Sequence, residues 1–174
     1  IETANLNGIY FTETPARLYP NGIFASHQIG LAQANTKATK AANAQNLVGI
    51  MGLEKTLNST LAGTNGVKEV KEDSYGYQLP NTKAKKKAAK NGKNVYLTLD
   101  SRLQTYLETL MSNVQTKYQP EQLNAVLMNP KTGQILAASQ RPTFNPETGS
   151  GLGSFWRDTL VGDSYEPGSV MKTF

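Results

Sequence analysis

The patterning of this chain changes at Asn94, and that change limits the folds open to it. All four Asn-Gly dipeptides, at 7–8, 21–22, 65–66 and 91–92, lie before it. Asn-Gly supplies the positive-φ pair that tight hairpin turns require, so the first part reads as short extended segments joined by turns. Beyond Asn94 the pattern becomes strand, long amphipathic helix, hairpin. A chain of 174 residues is usual for one domain, with room for a second if both are small, and the stretches before and after Asn94 are two units of pattern.

Within the first unit, Gly8-Ile9-Tyr10-Phe11-Thr12 is rich in strand formers. Arg17 to Gly22 reads as a turn, because Pro20 fixes φ and Gly22 tolerates positive φ. Residues 35–47 are polar and read as a loop. Leu53, Leu57 and Leu61 repeat at helical spacing, and Gly63 suits the residue after a helix. Asn58-Ser59-Thr60 spells a glycosylation sequon, but it lies on that predicted helix and reads as chance. Residues 64–93 read as hairpin and loop.

In the second unit, Val95 to Leu99 is expected to be a strand. Ser101-Arg102-Leu103-Gln104 has the form of a capping box, in which the serine caps the helix and the glutamine reaches back. Leu103, Tyr106, Leu107, Leu110, Met111 and Val114 then fall on one face of a helix, expected to be the core face. Ala125–Met128 and Gln134–Ala138 flank Asn129-Pro130-Lys131-Thr132-Gly133, a hairpin with a five-residue turn. Residues 142–154, rich in Pro, Gly, Ser and Thr, read as loop.

Composition removes several kinds of chemistry. The chain has no cysteine, which excludes a thiol nucleophile, disulfides, cysteine–zinc sites and iron–sulfur clusters. It has one histidine, so a histidine-built metal site is excluded and a Ser-His-Asp triad could use only His27. His27 itself reads as a packed or hydrogen-bonded structural residue. No apolar run approaches the roughly 20 residues that cross a bilayer, and no signal peptide is visible. Ile1 is the start expected of a processing or expression boundary.

The net charge of +5 is local. Six lysines and no acid lie between Lys83 and Lys93, leaving 12 basic against 13 acidic residues elsewhere. Such a segment either meets a polyanion or is a solvated loop or short exposed helix, and charge runs are usually solvated. No aromatic residue interleaves the lysines, which argues against single-stranded nucleic acid.

The segment with chemical content is Tyr165-Glu166-Pro167-Gly168-Ser169-Val170-Met171-Lys172. Pro167-Gly168 closes an irregular stretch, and the residues beyond can begin a helix. Ser169 would then stand at its N-terminus, where free backbone N–H groups favour developing negative charge. Lys172 would lie one turn on, on the same face. A serine hydroxyl needs a base, and a partly buried lysine can serve without any histidine. The same four residues could also be an N-cap serine with a solvent-facing lysine.

The wider sequence decides between these readings. S-x-x-K is a signature of penicillin-binding proteins, and the chain resembles their class B members, the monofunctional peptidoglycan transpeptidases, in the Gram-positive cell-division type. Arg17-Leu18-Tyr19-Pro20-Asn21-Gly22 through His27, with Ile29-Gly30-Leu31-Ala32, resembles one motif of the family's N-terminal pedestal. Gly52-Leu53-Glu54-Lys55 through Gly63 resembles a second. Val95–Asp100 with Leu103, Gln104 and Glu108 resembles the entry to the transpeptidase domain. Asn129–Ala137 and Arg141–Asn145 resemble its first hairpin, and Trp156-Arg157-Asp158 with Tyr165–Ser169 the approach to the nucleophile.

The resemblance implies an α+β molecule divided into residues 1–94 and 95–174, with a mostly β, dimerisation-type pedestal over 1–94, N-terminally incomplete. It implies the start of a transpeptidase domain over 95–174, cut just after S-x-x-K. Ser169 would be the nucleophile and Lys172 the general base, with no metal or organic cofactor needed. The partners implied are D-Ala-D-Ala stem peptides, β-lactams and membrane proteins of the division machinery, with no nucleic acid. The implied location is the extracytoplasmic membrane face of a Gram-positive bacterium, through an anchor outside this chain. The family's S-x-N and K-[ST]-G motifs would lie beyond Phe174. One oxyanion donor would lie there too, and losing such a donor costs roughly 10²–10³ in rate. The chain alone is therefore expected to be inactive. Lys131-Thr132-Gly133 spells K-T-G but precedes the serine and sits in a hairpin turn, so Lys131 reads as a solvated lysine. The alternatives are a β-lactam-hydrolysing or β-lactam-sensing relative, and a non-catalytic interaction module.

Overall fold

A computed structural model describes residues 16–34, 47–71, 73–75, 77, 79 and 85–173. The expected strand at Gly8–Thr12 and nearly all of the expected 35–47 loop lie outside these residues. The elements run α1 (Ser26–Ile29), β1 (Leu31–Ala34), β2 (Leu47–Met51), α2 (Gly52–Thr56), α3 (Asn58–Leu61), β3 (Val67–Glu69), β4 (Lys85–Lys87), α4 (Ser101–Tyr118), β5 (Leu123–Met128), β6 (Ile135–Arg141), α5 (Leu152–Phe155) and α6 (Thr159–Gly162). A 3₁₀-helix follows at Gly168–Thr173. The described strands form three separate antiparallel pairs, β1–β2, β3–β4 and β5–β6. This is the expected α+β architecture.

In the first unit, the Arg17–Gly22 turn closes through Gly22 N–H to Tyr19 O at 2.9 Å, with Gly22 at φ 56°. The helix expected from Gly52 to Gly63 is broken at Leu57 into α2 and α3. Gly30, at φ +84°, lies so close to the end of β2 that a Cβ there would stand 2.0 Å from Met51 O. Only glycine permits that backbone contact. Asn58 is structural: its Oδ1 accepts from Gly49 N–H at 2.9 Å. The lysine segment is neither loop nor helix throughout, since Lys85–Lys87 form β4.

In the second unit the hairpin forms as expected. Its turn closes through Gly133 N–H to Asn129 O at 2.8 Å, and Asn129 Oδ1 accepts from Lys131 N–H at 3.0 Å. Lys131 is exposed in that turn. Residues 142–154 are loop up to the start of α5.

Three expectations need correction. Val95–Leu99 is not a strand. The free edge of β6 is taken instead by Thr98 Oγ1 on Ile135 O, by Asp100 N–H on Leu136 O and by the Gln104 side chain on Ala138. No edge is left there for a strand to pair with.

The second concerns the cap of α4, which is Asp100 rather than Ser101. The Asp100 carboxylate accepts from Arg102 N–H at 2.9 Å and Leu103 N–H at 3.1 Å. These two bonds hold the carboxyl below its usual range. A carboxylate one residue earlier competes for the same orphan donors and wins.

The third is the buried face of α4, which is polar. Gln104, Glu108 and Met111 are buried, whereas Leu103, Tyr106 and Leu110 of the expected core face are exposed, Tyr106 at 65%. The reason lies in β6, which is buried continuously from Ala137 to Arg141 and offers polar partners along its length.

Candidate functional site

Ser169 and Lys172 share the six-residue 3₁₀-helix Gly168–Thr173 rather than the first turn of an α-helix. In a 3₁₀-helix residues three apart eclipse one another, so the two project along one edge. Both are exposed, and no hydrogen bond joins them. The described residues therefore bring the pair together in sequence register. They do not supply the burial that a lysine base requires.

The segment leading to that turn is tied to the hairpin. Gln140 Nε2–H donates to Arg157 O at 2.9 Å, and Gln140 Oε1 accepts from Thr159 N–H at 2.9 Å. Asp158 caps α6 through Leu160 N–H at 3.0 Å, and Arg157 pairs with Asp163. An open cleft of about 950 Å³ runs between β5 and this segment, lined by Asn124, Val126, Arg157 and Tyr165 among others.

Beneath lies a polar joint between the two units. The Glu108 carboxylate accepts from four donors: Arg141 Nη2 at 2.6 Å, Ser139 Oγ at 2.8 Å, Gln104 Nε2 at 2.7 Å and Ala25 N–H at 3.0 Å. Three come from the second unit. The fourth comes from the first, where Ala25 holds a left-handed bend at φ 45° just before α1. Arg141 is further held by Ser112 Oγ and by Gln140 O. Gln104 completes the arrangement by pairing its amide with both backbone groups of Ala138, as an added strand residue would. A buried charge pair persists only with its remaining hydrogen bonds satisfied, and here they are.

His27 sits at the same joint and is buried, as expected for a structural histidine. Its Nε2 lies 2.7 Å from Phe155 O, which can only accept, so Nε2 carries the proton. Nδ1 then accepts from the hydroxyls of Thr143 at 3.3 Å or Ser26 at 3.4 Å. The ring meets Phe144 edge-on at 4.9 Å. Burial pushes its pKa below the ordinary value, against the contrary effect of the Phe155 carbonyl. Two further contacts cross the joint, Ser26 Oγ to Thr143 Oγ1 at 2.8 Å and Tyr19 N–H to Glu147 at 2.7 Å. Within the first unit, Arg17 grips Glu54 through two bonds at 2.6 and 3.0 Å.

This joint was not read from the sequence. Its one local signal is the four-residue spacing of Gln104 and Glu108; Ser139 and Arg141 arrive from over 30 residues away. Among the described residues no group of three or more His, Cys, Asp or Glu side chains could hold a metal ion, and no helix is long and apolar enough to cross a membrane.

The Penicillin-binding Protein dimerisation domain profile matches residues 1–97, and the Penicillin binding protein transpeptidase domain profile matches residues 123–174. Stage V sporulation protein D of Bacillus subtilis (strain 168) is 34% identical over 174 residues, covering 99% of this chain and 25% of that protein. Peptidoglycan D,D-transpeptidase FtsI of Escherichia coli (strain K12) is 30% identical over 173 residues, covering 99% of this chain and 27% of that one. The solved structure of penicillin-binding protein 2X from Streptococcus thermophilus superposes with a TM-score of 0.76 at 42% identity, covering 89% of this chain and 23% of that one. The chain thus spans about a quarter of the length of the curated relatives it matches.

Proposed function

The chain belongs to the penicillin-binding protein dimerisation-domain family, and from that premise we propose that it is the pedestal and opening catalytic segment of a serine D,D-transpeptidase that cross-links peptidoglycan. The observation that carries this is the transpeptidase match through 123–174, which takes in a serine and a lysine on one 3₁₀ turn. The division of labour follows the two units, residues 1–94 as pedestal and 95–174 as the start of the catalytic domain. The change of pattern at Asn94 supports that boundary.

In the proposed reaction Ser169 Oγ bonds to the carbonyl carbon of the penultimate D-Ala of a stem peptide. The C–N bond to the terminal D-Ala breaks. The hydroxyl proton passes to Lys172 Nζ and on to the leaving amine. An amine of a neighbouring stem peptide then attacks the ester, the bond from the acyl carbon to Ser169 Oγ breaks, and the proton that this amine gives up passes through Lys172 to Oγ. With a β-lactam the same attack opens the ring C–N bond and nothing departs, so the acyl-enzyme persists. Covalent and proton-transfer roles of this kind need no metal. The family resemblance supports placing the parent at the extracytoplasmic face of a Gram-positive membrane, beside membrane proteins of the division machinery.

The test uses the protein carried through a complete transpeptidase domain. Fluorescent penicillin is expected to label it stoichiometrically, and Ser169→Ala is expected to abolish labelling with the Tm unchanged. Lys172→Ala should slow labelling by at least ~10²-fold, the lower range for a general base. Labelling that survives Ser169→Ala, or nitrocefin turned over rapidly, would sink the assignment.

A further inference from the structure

Away from the Ser169 turn, the β3–β4 ribbon concentrates the chain's excess charge. Its register sets Val67 opposite Lys87, Lys68 opposite Lys86 and Glu69 opposite Lys85. Directly opposed residues share a face and successive residues alternate. Lys85 and Lys87 therefore occupy one face about 6.6 Å apart, while Lys68 and Lys86 sit side by side on the other. All six strand residues are exposed. Like charges directly opposed destabilise a ribbon, yet neither Lys68 nor Lys86 has an ion-pair partner among the described residues, and Glu69 does not close one with Lys85.

The charges stand on a fixed backbone. Lys90 exchanges both backbone bonds with Thr64 at 2.8 Å, and Lys93 N–H donates to Thr60 O at 2.8 Å. At Gly92 the chain after β4 presses so closely on the end of α3 that a Cβ would lie 1.9 Å from Leu61 O. A solvated tail of lysines needs no such mounting.

We propose that this ribbon is a binding surface for a linear phosphodiester polymer without bases, a polyol-phosphate chain. Charge complementarity calls for an anion, and regular spacing along a strand calls for a repeating one. Lysines on both faces fit a flexible chain that can follow either side, whereas a bilayer meets one face only. The lysine run holds no aromatic residue on which a base could stack, which sets nucleic acid aside. The inference stands on the ribbon and is independent of Ser169 chemistry.

The experiment titrates the full 174-residue chain with a labelled synthetic glycerol-phosphate oligomer at a series of salt concentrations. Single-stranded polyanions give a slope of about −0.7 in log K against log salt for each phosphate neutralised. Lys68, Lys85, Lys86, Lys87 and Lys90 together should give about −3 to −4. The variant Lys85→Gln/Lys86→Gln/Lys87→Gln should bind more than ~10-fold more weakly at low salt, with a slope shallower by about 2. Lys131→Gln should bind as the parent does. Lys85→Arg/Lys86→Arg/Lys87→Arg, which keeps the charge, should retain binding, so that a fold defect is separated from a lost contact. The proposal is overturned by a glutamine triple variant that binds like the parent. It is equally overturned by an arginine variant that is folded but does not bind. Tighter binding of anionic vesicles, or of single-stranded DNA of equal charge, overturns the choice of occupant.

Discussion

Replacing Arg141 by methionine should strongly destabilise the joint. The Arg141 side chain is only 5% exposed and that of Glu108 10%. Methionine restores the volume of the stem but leaves Glu108 as a buried anion with three neutral donors: Ser139 Oγ, Gln104 Nε2 and Ala25 N–H. Removing one partner of a buried pair costs about 3–5 kcal/mol, a large share of the 5–15 kcal/mol that holds an ordinary domain together. For a chain of this size that lowers Tm by about 6–20 °C. The double variant Glu108→Leu/Arg141→Met removes both charges, and what remains is the loss at the donors Glu108 served, about 1–3 kcal/mol for each one left without a partner. The double variant should therefore be less damaged than the sum of its singles. Urea unfolding followed by circular dichroism gives all four corners of the cycle. An Arg141→Met protein within about 1 kcal/mol of the parent, or a double variant equal to the sum, would refute the view that Glu108 and Arg141 act as one buried unit.

Two further outcomes follow from the helix cap and the buried histidine. Asp100→Ala should lower Tm measurably and Ser101→Ala hardly at all, because Asp100 holds both orphan N–H groups; the reverse order would restore the serine as cap. His27 is held below its ordinary pKa of 6.5, so the unfolded chain binds the extra proton more readily. Its contribution is complete above about pH 6.5 and is lost as pH falls below that value. Thermal melting at successive pH values should show this decline, and His27→Gln should flatten it. A parent Tm that rises on mild acidification would contradict the assignment.

Local signals were legible and distant ones were not. The hairpin of β5 and β6 could be read because Asn129 and Gly133 determine its turn within five residues. The long helix could be read from periodicity, and the Ser169–Lys172 pair from its spacing. The buried side of α4 could not, because amphipathicity assigns the apolar residues to the core. Gln104 and Glu108 are preferred inside only because β6 brings Ser139, Arg141 and the Ala138 backbone to meet them. The 95–99 segment failed for a related reason: Thr98 Oγ1 and Asp100 N–H meet β6 only at Ile135 and Leu136, and the Gln104 amide takes Ala138 beyond them. The lysine segment was correctly read as exposed, but its strand register depends on β3, some 18 residues earlier.

The contact between Glu108 and Ala25 differs in kind from the one between Arg17 and Glu54. The Arg17–Glu54 contact is made by two side chains, so a change in either loses it. At position 25 the first unit contributes a main-chain N–H, which nineteen of the twenty amino acids carry. The joint therefore reads a bend in the chain and not a side chain. Over evolutionary time the first unit could drift at this position to any residue that tolerates the bend, proline excepted, with no matching change in the second. First units exchanged between distant relatives would need to preserve the curve of the backbone there, and little of its spelling.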